Sequence, residues 1–173
     1  MVHEAVPNAA VVGALINPSN PNAEPNAREM QEAARRLGLQ LQILNARNTS
    51  EIDRAFATFV QSHTGAIVIS GDPFFGVRMG QIAALTLRHA IPAIYATRDF
   101  VAAGGLMTYG ANITEATRLA ALYMGRILKG EKPADLPVQQ VTRIELVINM
   151  KTAKAIGLVV PPTLLAIADE VIE

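Results

Sequence analysis

Apolar and polar residues follow one another in blocks along this chain, and the blocks change period in a regular order. Val11-Val12-Gly13-Ala14-Leu15-Ile16 is a short apolar run, the pattern of a strand buried on both faces. Turn formers follow at Asn17-Pro18-Ser19-Asn20-Pro21-Asn22. Helical periodicity then runs from Glu24 to about Leu37, with Pro25 near the first position, where a missing N–H costs nothing, and Gly38 as C-cap. Leu39 to Leu44 alternates apolar and polar, which suits a strand near a sheet edge. Ser50 as N-cap with Asp53 three residues on predicts a helix carrying Ile52, Ala55, Phe56, Phe59 and Val60 on one face. Ala66–Ile69 is a second fully apolar strand. The loop Ser70–Gly76, a helix from about Val77 to His89 and a strand Pro92–Tyr95 complete the alternation.

Strand alternating with helix predicts an α/β fold, a doubly wound parallel sheet with helices on both faces, in the flavodoxin-like order 2-1-3-4-5. That order sets the ends of the first, third and fourth strands side by side, carrying Asn17–Asn22, Ser70–Phe75 and Thr97–Phe100. Beyond Tyr95 the pattern loosens. Gly104 to Gly110 reads as a glycine turn into a fifth strand, and Thr114 to Lys129 as a helix with Thr114 as N-cap and Gly130 just past its end. The apolar positions of that helix cover more than one stripe. Lys132–Pro137 is a linker and Ile144–Ile148 a last strand. Asn149 caps a short helix to Ile156, and Pro161-Pro162 opens a terminal helix from Thr163 to Val171.

Composition narrows the function. With 15 basic and 15 acidic residues in 173, the formal net charge is zero, so nothing electrostatic draws the chain to nucleic acid or anionic lipid. No cysteine occurs, which excludes disulfides and thiolate metal sites. No apolar run approaches the roughly 18 residues of a membrane span. Met1 to Pro7 has neither the basic nor the apolar region of a signal peptide.

The candidate chemistry sits at the strand ends. Asn17, Ser19, Asn20 and Asn22 donate and accept hydrogen bonds but do not ionise, which favours binding a polar small molecule over breaking bonds. Asp72 follows the third strand, where a phospho-acceptor carboxylate could stand. Magnesium-dependent phosphoryl transfer would need further acids after the first strand, and Asn17-Pro18 is there instead. Asp72-Pro73 reads equally as a turn before a helix. Of the adjacent Phe74 and Phe75, one tucks under a helix or one walls a pocket; Tyr95, Phe100 and Tyr109 could add to such a wall. Arg98 and Asp99 read as a local ion pair on the rim, or Arg98 as a bidentate partner for a ligand carboxylate. His3, His63 and His89 have no metal-ligand spacing. No phosphate-cradling glycine loop, dinucleotide fingerprint or hydrolase elbow occurs. The residues thus imply no cofactor and no metal.

Taken in order, VVGALINPSNPNAE, GAIVISGDPFF, IPAIYATRDFVAAGGLMTYG, ILKGEKPADLPVQQ and ELVINMKTAKAIGLVVPPTLLAIADEVIE resemble the substrate-binding proteins of ABC transporters. The branch is that of type I periplasmic-binding-protein folds, some of whose members bind aromatic amino acids. Family members are about twice as long. The resemblance therefore implies that residues 10–110 are a second ligand-binding lobe. Residues 111–173 would be a crossover segment packing on a first lobe that is largely absent. It implies a non-catalytic, periplasmic protein whose ligand bridges two lobes and whose closed form is read by permease subunits. The lobe's wall would comprise Asn17, Ser19, Asn20, Asn22, Asp72, Phe74, Phe75, Arg98, Asp99, Gly104 and Gly105. A homodimer through the uncovered Thr114–Lys129 helix is expected. A flavodoxin-like enzyme, or the effector-sensing domain of a regulator, is the alternative reading of the pattern.

Overall fold

The computed structural model describes residues 1–139 and 143–173; Gln140, the last residue of the quoted stretch ILKGEKPADLPVQQ, lies outside them. In chain order the elements are α1 (Val2–Ala5), β1 (Val11–Ile16), α2 (Ala23–Leu37), β2 (Gln40–Asn45), α3 (Thr49–Gln61), β3 (Ala66–Ile69), α4 (Pro73–Gly76) and α5 (Met79–Arg88). There follow β4 (Ala93–Tyr95), α6 (Asp99–Ala102), β5 (Met107–Ala111), α7 (Ile113–Leu128), β6 (Ile144–Asn149), α8 (Met150–Ala155), α9 (Pro162–Ile167) and β7 (Glu170–Ile172). The strands form one seven-stranded sheet in the order β2-β1-β3-β4-β5-β6-β7. Its first five strands are parallel in the expected 2-1-3-4-5 order. β6 runs antiparallel to β5, and β7 parallel to β6.

Each face of the sheet buries its own core. On one, Phe56, Phe59, Ile52, Phe75, Ile82 and Phe100 close over Leu15, Ile67 and Ile69. The approach of α3 to β1 is so close that a Cβ on Gly13 would stand 2.5 Å from the Phe59 ring, which only glycine avoids. On the other face Ala5, Ala153, Val160 and Leu164 cover Ile94, Met107, Leu146 and Ile148. Burial on both sides explains why β1 and β3 read as unbroken apolar runs while the edge strand β2 alternates.

Several boundaries differ from the sequence reading, for identifiable reasons. The cap of α3 is Asn48, not Ser50: Asn48 Oδ1 accepts the Glu51 N–H at 2.9 Å, and the Glu51 carboxylate reaches back to the Arg47 N–H at 2.7 Å. The cap of α7 is Asn112, not Thr114, with the Glu115 N–H on its Oδ1 at 2.9 Å. The terminal helix stops at Ile167. Asp169 then fastens to β6, its N–H donating to the Leu146 carbonyl and its carboxylate accepting the Leu146 N–H, both at 2.9 Å. That clasp turns residues 170–172 into a strand. Residues 144–172 extend the same sheet as β1–β5, because β6 pairs with β5 along its whole length, and only α7 stands apart. No residue of α7 is buried, and Ile113, Leu122, Met124 and Leu128 are all more than half exposed.

Candidate functional site

Parallel strands deliver their following loops to one edge of a sheet, and here the carboxyl ends of β1, β3, β4 and β5 share it. Because β1 and β3 are neighbours, the loops after them meet, and Asp72 is the point of contact. Asn17 Nδ2 donates to Asp72 Oδ1 at 3.1 Å and Asn20 Nδ2 to Oδ2 at 2.6 Å. The Phe74 N–H donates to Oδ1 at 2.8 Å, so the same carboxylate caps α4. Burial pushes the Asp72 carboxyl up. The Asn20 and Asn17 amides and the Phe74 and Phe75 N–H groups outweigh it and hold the group below its ordinary 3.8, because all of them stabilise the charged form. Tyr95, from the end of β4, donates its hydroxyl to the Asp72 carbonyl at 3.0 Å and accepts the Asp72 N–H at 3.3 Å. Burial, together with the Asp72 charge, pushes the Tyr95 phenol up, which keeps it protonated.

The loop after β1 is folded on this anchor. The Ser19 N–H donates to Asn17 Oδ1 at 3.1 Å and the Asn22 N–H to Asn20 Oδ1 at 2.8 Å, two Asx turns that fix the backbone. With both oxygens of Asp72 engaged, the carboxylate serves as a brace and has the partners of a structural ion rather than an attacking one.

Of the sequence-predicted site residues, the structure therefore joins Asn17, Asn20 and Asp72 directly and brings Ser19 and Asn22 through backbone contacts. Phe75 is fully buried among the helices of the first core, while Phe74 is half-buried with the Arg78 guanidinium 4.7 Å over its ring. Arg98 does not pair with Asp99; it forms an ion pair with Glu170 of β7, which holds its guanidinium charged. Asp99 is exposed at the start of α6. Gly104 and Gly105 stand before β5, at the opposite, amino edge of the sheet. Their roles there are local: Gly104 adopts φ 96° and its carbonyl accepts the Thr152 hydroxyl at 2.9 Å, and a Cβ on Gly105 would lie 2.4 Å from the Phe100 ring.

Two hollows flank the shared edge and meet at Ala96. One, of about 400 Å³, is lined by Met30, Val68, Ser70, Tyr95 and Tyr109 among others, and is mainly apolar. The other, of about 490 Å³, lies on the opposite face between Thr97–Asp99, the end of β5, the start of α7, and Glu145 and Val147 of β6. Each contains a nearly buried hydroxyl: Ser70 at 3 % exposure in the first, Thr108 at 2 % in the second. Sequence reasoning set Ser70 at this edge without naming it as a site residue, and missed Thr108 and Glu145. Ser70 ends a recognisable strand and was within reach of the pattern. Glu145 arrives on an antiparallel strand whose direction no local signal records. Among the described residues, no group of three His, Asp or Glu could hold a metal ion, and no helix is long and apolar enough to cross a membrane.

A wound sheet whose carboxyl edge gathers braced amides and hydroxyl-bearing hollows has the build of a small-molecule-binding α/β lobe. The chain belongs to the ABC transporter substrate binding protein family, whose profile matches residues 1–172. It is similar to a tyrosine-binding protein of Clostridioides difficile, 21% identical over 158 residues, covering 91% of this chain and 46% of that protein. The fold superposes on an ABC domain in complex with L-Trp from Streptococcus pneumonia, with TM-score 0.85 and 25% identity, over 98% of this chain and 59% of that one. A conserved domain protein from Vibrio cholerae superposes with TM-score 0.86 at 23% identity, over 98% of this chain and 57% of that one. The chain thus spans about half the length of the relatives it matches.

Proposed function

We propose that this chain is the second lobe of the solute-binding component of an ABC importer, binding a small polar solute such as an amino acid without catalysis. The observation that carries the reading is the shared carboxyl edge: Asp72 fixes the Asn17 and Asn20 side chains there, and two hollows of amino-acid size open along the same edge, on either side of Ala96. Tyrosine and L-Trp, the ligands in the printed names of two relatives, make aromatic amino acids the first solutes to try. A single wall buries a ligand poorly, so tight binding needs a second lobe closing over this one by hinge motion. The protein then works outside the cytoplasmic membrane, in the periplasm, and presents its closed form to permease subunits.

The uncovered face of α7 supports the two-lobed reading. On the chain by itself we propose that a second copy covers that face, giving a homodimer. Titration calorimetry of the chain, and of any longer protein that carries it, with the twenty amino acids tests the function: an exothermic, saturable response to at least one is expected, and silence towards all of them removes the reading. Light scattering of the chain tests the dimer, with a monomer mass at high concentration counting against it.

A further inference from the structure

We propose that the hollow between Arg98 and Glu145 is the subsite for the main-chain charges of a zwitterionic solute, its carboxylate towards Arg98 and the α7 N-terminus and its ammonium towards Glu145. The inference rests on the solute-binding reading and assigns the ends of the solute within it.

The walls of this hollow carry opposite charges. Arg98 follows β4 and Glu145 lies on β6, two strands away in the sheet, and both line the hollow. The β5 strand runs between them. By register, Gly110 stands opposite Glu145 and Thr108 opposite Val147, so the four share one face of the sheet and form the floor. Gly110 is required there by close packing, since a Cβ would stand 2.0 Å from the Ala96 carbonyl oxygen. Thr108 is 2 % exposed, and among the described residues its hydroxyl makes no hydrogen bond, although it lines the hollow. The hydroxyl oxygen itself is not sealed: among the described residues the fully buried side-chain polar atom without a partner is His3 Nδ1, so the Thr108 hydroxyl opens onto the hollow, where a solute oxygen can pair with it. The start of α7, a helix of 16 residues, opens on the same space through Ile113 and Thr114, and its free N–H groups favour an anion.

The charges are held but not sealed. Glu145 accepts the Asn112 amide at 2.8 Å and lies 3.3 Å from the Arg143 guanidinium. Arg98, more than half exposed, is paired with Glu170. Both keep donor or acceptor capacity, since a guanidinium has five N–H groups and a carboxylate about four lone-pair sites. The mainly apolar hollow beyond Ala96 would then receive the solute's side chain.

Amide-resolved NMR titration of the chain tests this with three indole compounds differing only in charge: L-tryptophan, indole-3-propionate and tryptamine. L-tryptophan is expected to shift Thr108, Asn112–Glu115 and Glu145. R98Q and T108V should weaken L-tryptophan and indole-3-propionate at least tenfold while sparing tryptamine; E145Q should weaken L-tryptophan and tryptamine and spare indole-3-propionate. T108S, which keeps the hydroxyl, should bind like the parent sequence. Shifts confined to Asn17–Asn22 and Ser70–Tyr95, with all variants binding equally, overturn the subsite and leave solute binding intact. No shift at the carboxyl edge with any of the three overturns the subsite. If the twenty amino acids are equally silent in the calorimetric titration, the functional reading goes with it.

Discussion

Helices α3 and α7 begin alike and end in opposite circumstances. Each opens on Asn-x-x-Glu, with the asparagine side chain accepting the N–H of the glutamate at 2.9 Å. Each is amphipathic. Yet α3 buries Ile52, Ala55, Phe56 and Phe59, whereas α7 buries nothing. Local sequence suffices to start a helix and to give it an apolar side. Whether that side is covered depends on a surface elsewhere, and for α3 that surface is the sheet.

The largest effect should come from the covered helix. Phe59 packs edge-on against Phe56 with ring centroids 6.0 Å apart and shields Gly13. Phe59→Ala should cost about 3–5 kcal/mol in urea denaturation. Leu122→Ala in α7 should stay within about 0.5 kcal/mol at concentrations where the chain is monomeric. Comparable losses at the two sites would mean that α7 is packed in solution, and repeating the α7 variant across protein concentrations would show whether a second copy does the packing.

An intermediate effect is expected at Asp72, which braces the site rather than the core. Asp72→Ala leaves the Asn17 and Asn20 amides and the Phe74 N–H without their acceptor and should cost about 1–3 kcal/mol. Its pH dependence has a definite sign. The folded pKa lies below the ordinary 3.8, so the charged form's contribution is complete at neutral pH and is lost as pH falls through the folded value. The stability difference between the parent and D72N, measured by denaturation, should therefore shrink between pH 7 and about pH 3. A constant difference would assign Asp72 a role in packing alone.

The smallest effects separate the two caps. Asn48→Ala should lower global stability by about 1 kcal/mol, because α3 melts only with the core. Asn112→Ala should cost a similar amount locally, but it should show as fraying of α7 by hydrogen exchange with little change in the denaturation midpoint. Equal shifts in the midpoint would join α7 to the cooperative unit.

The sequence by itself determined the periodic elements. Val11–Ile16 and Ala66–Ile69 were legible to the residue because burial on both faces leaves no polar position to blur them. Gly38 ended α2 as its left-handed φ of 68° requires, and Asn149 capped α8 as expected. The strand order 2-1-3-4-5 followed from alternation and handedness, and with it the meeting of Asn17 with Asp72. Ser50 and Thr114 were mistaken for caps because Asn48, Thr49 and Ser50 stand together, and Asn112 stands two residues before Thr114, and only hydrogen-bond geometry chooses among them. Tertiary structure alone decided the rest. It turned β6 antiparallel and drew residues 170–172 into the sheet through Asp169. It took Arg98 from its sequence neighbour Asp99 to Glu170, and set Glu145 across a hollow from it. Those contacts join residues far apart in the chain, and their energies arise only when the sheet has brought the partners together, so no local pattern could carry them.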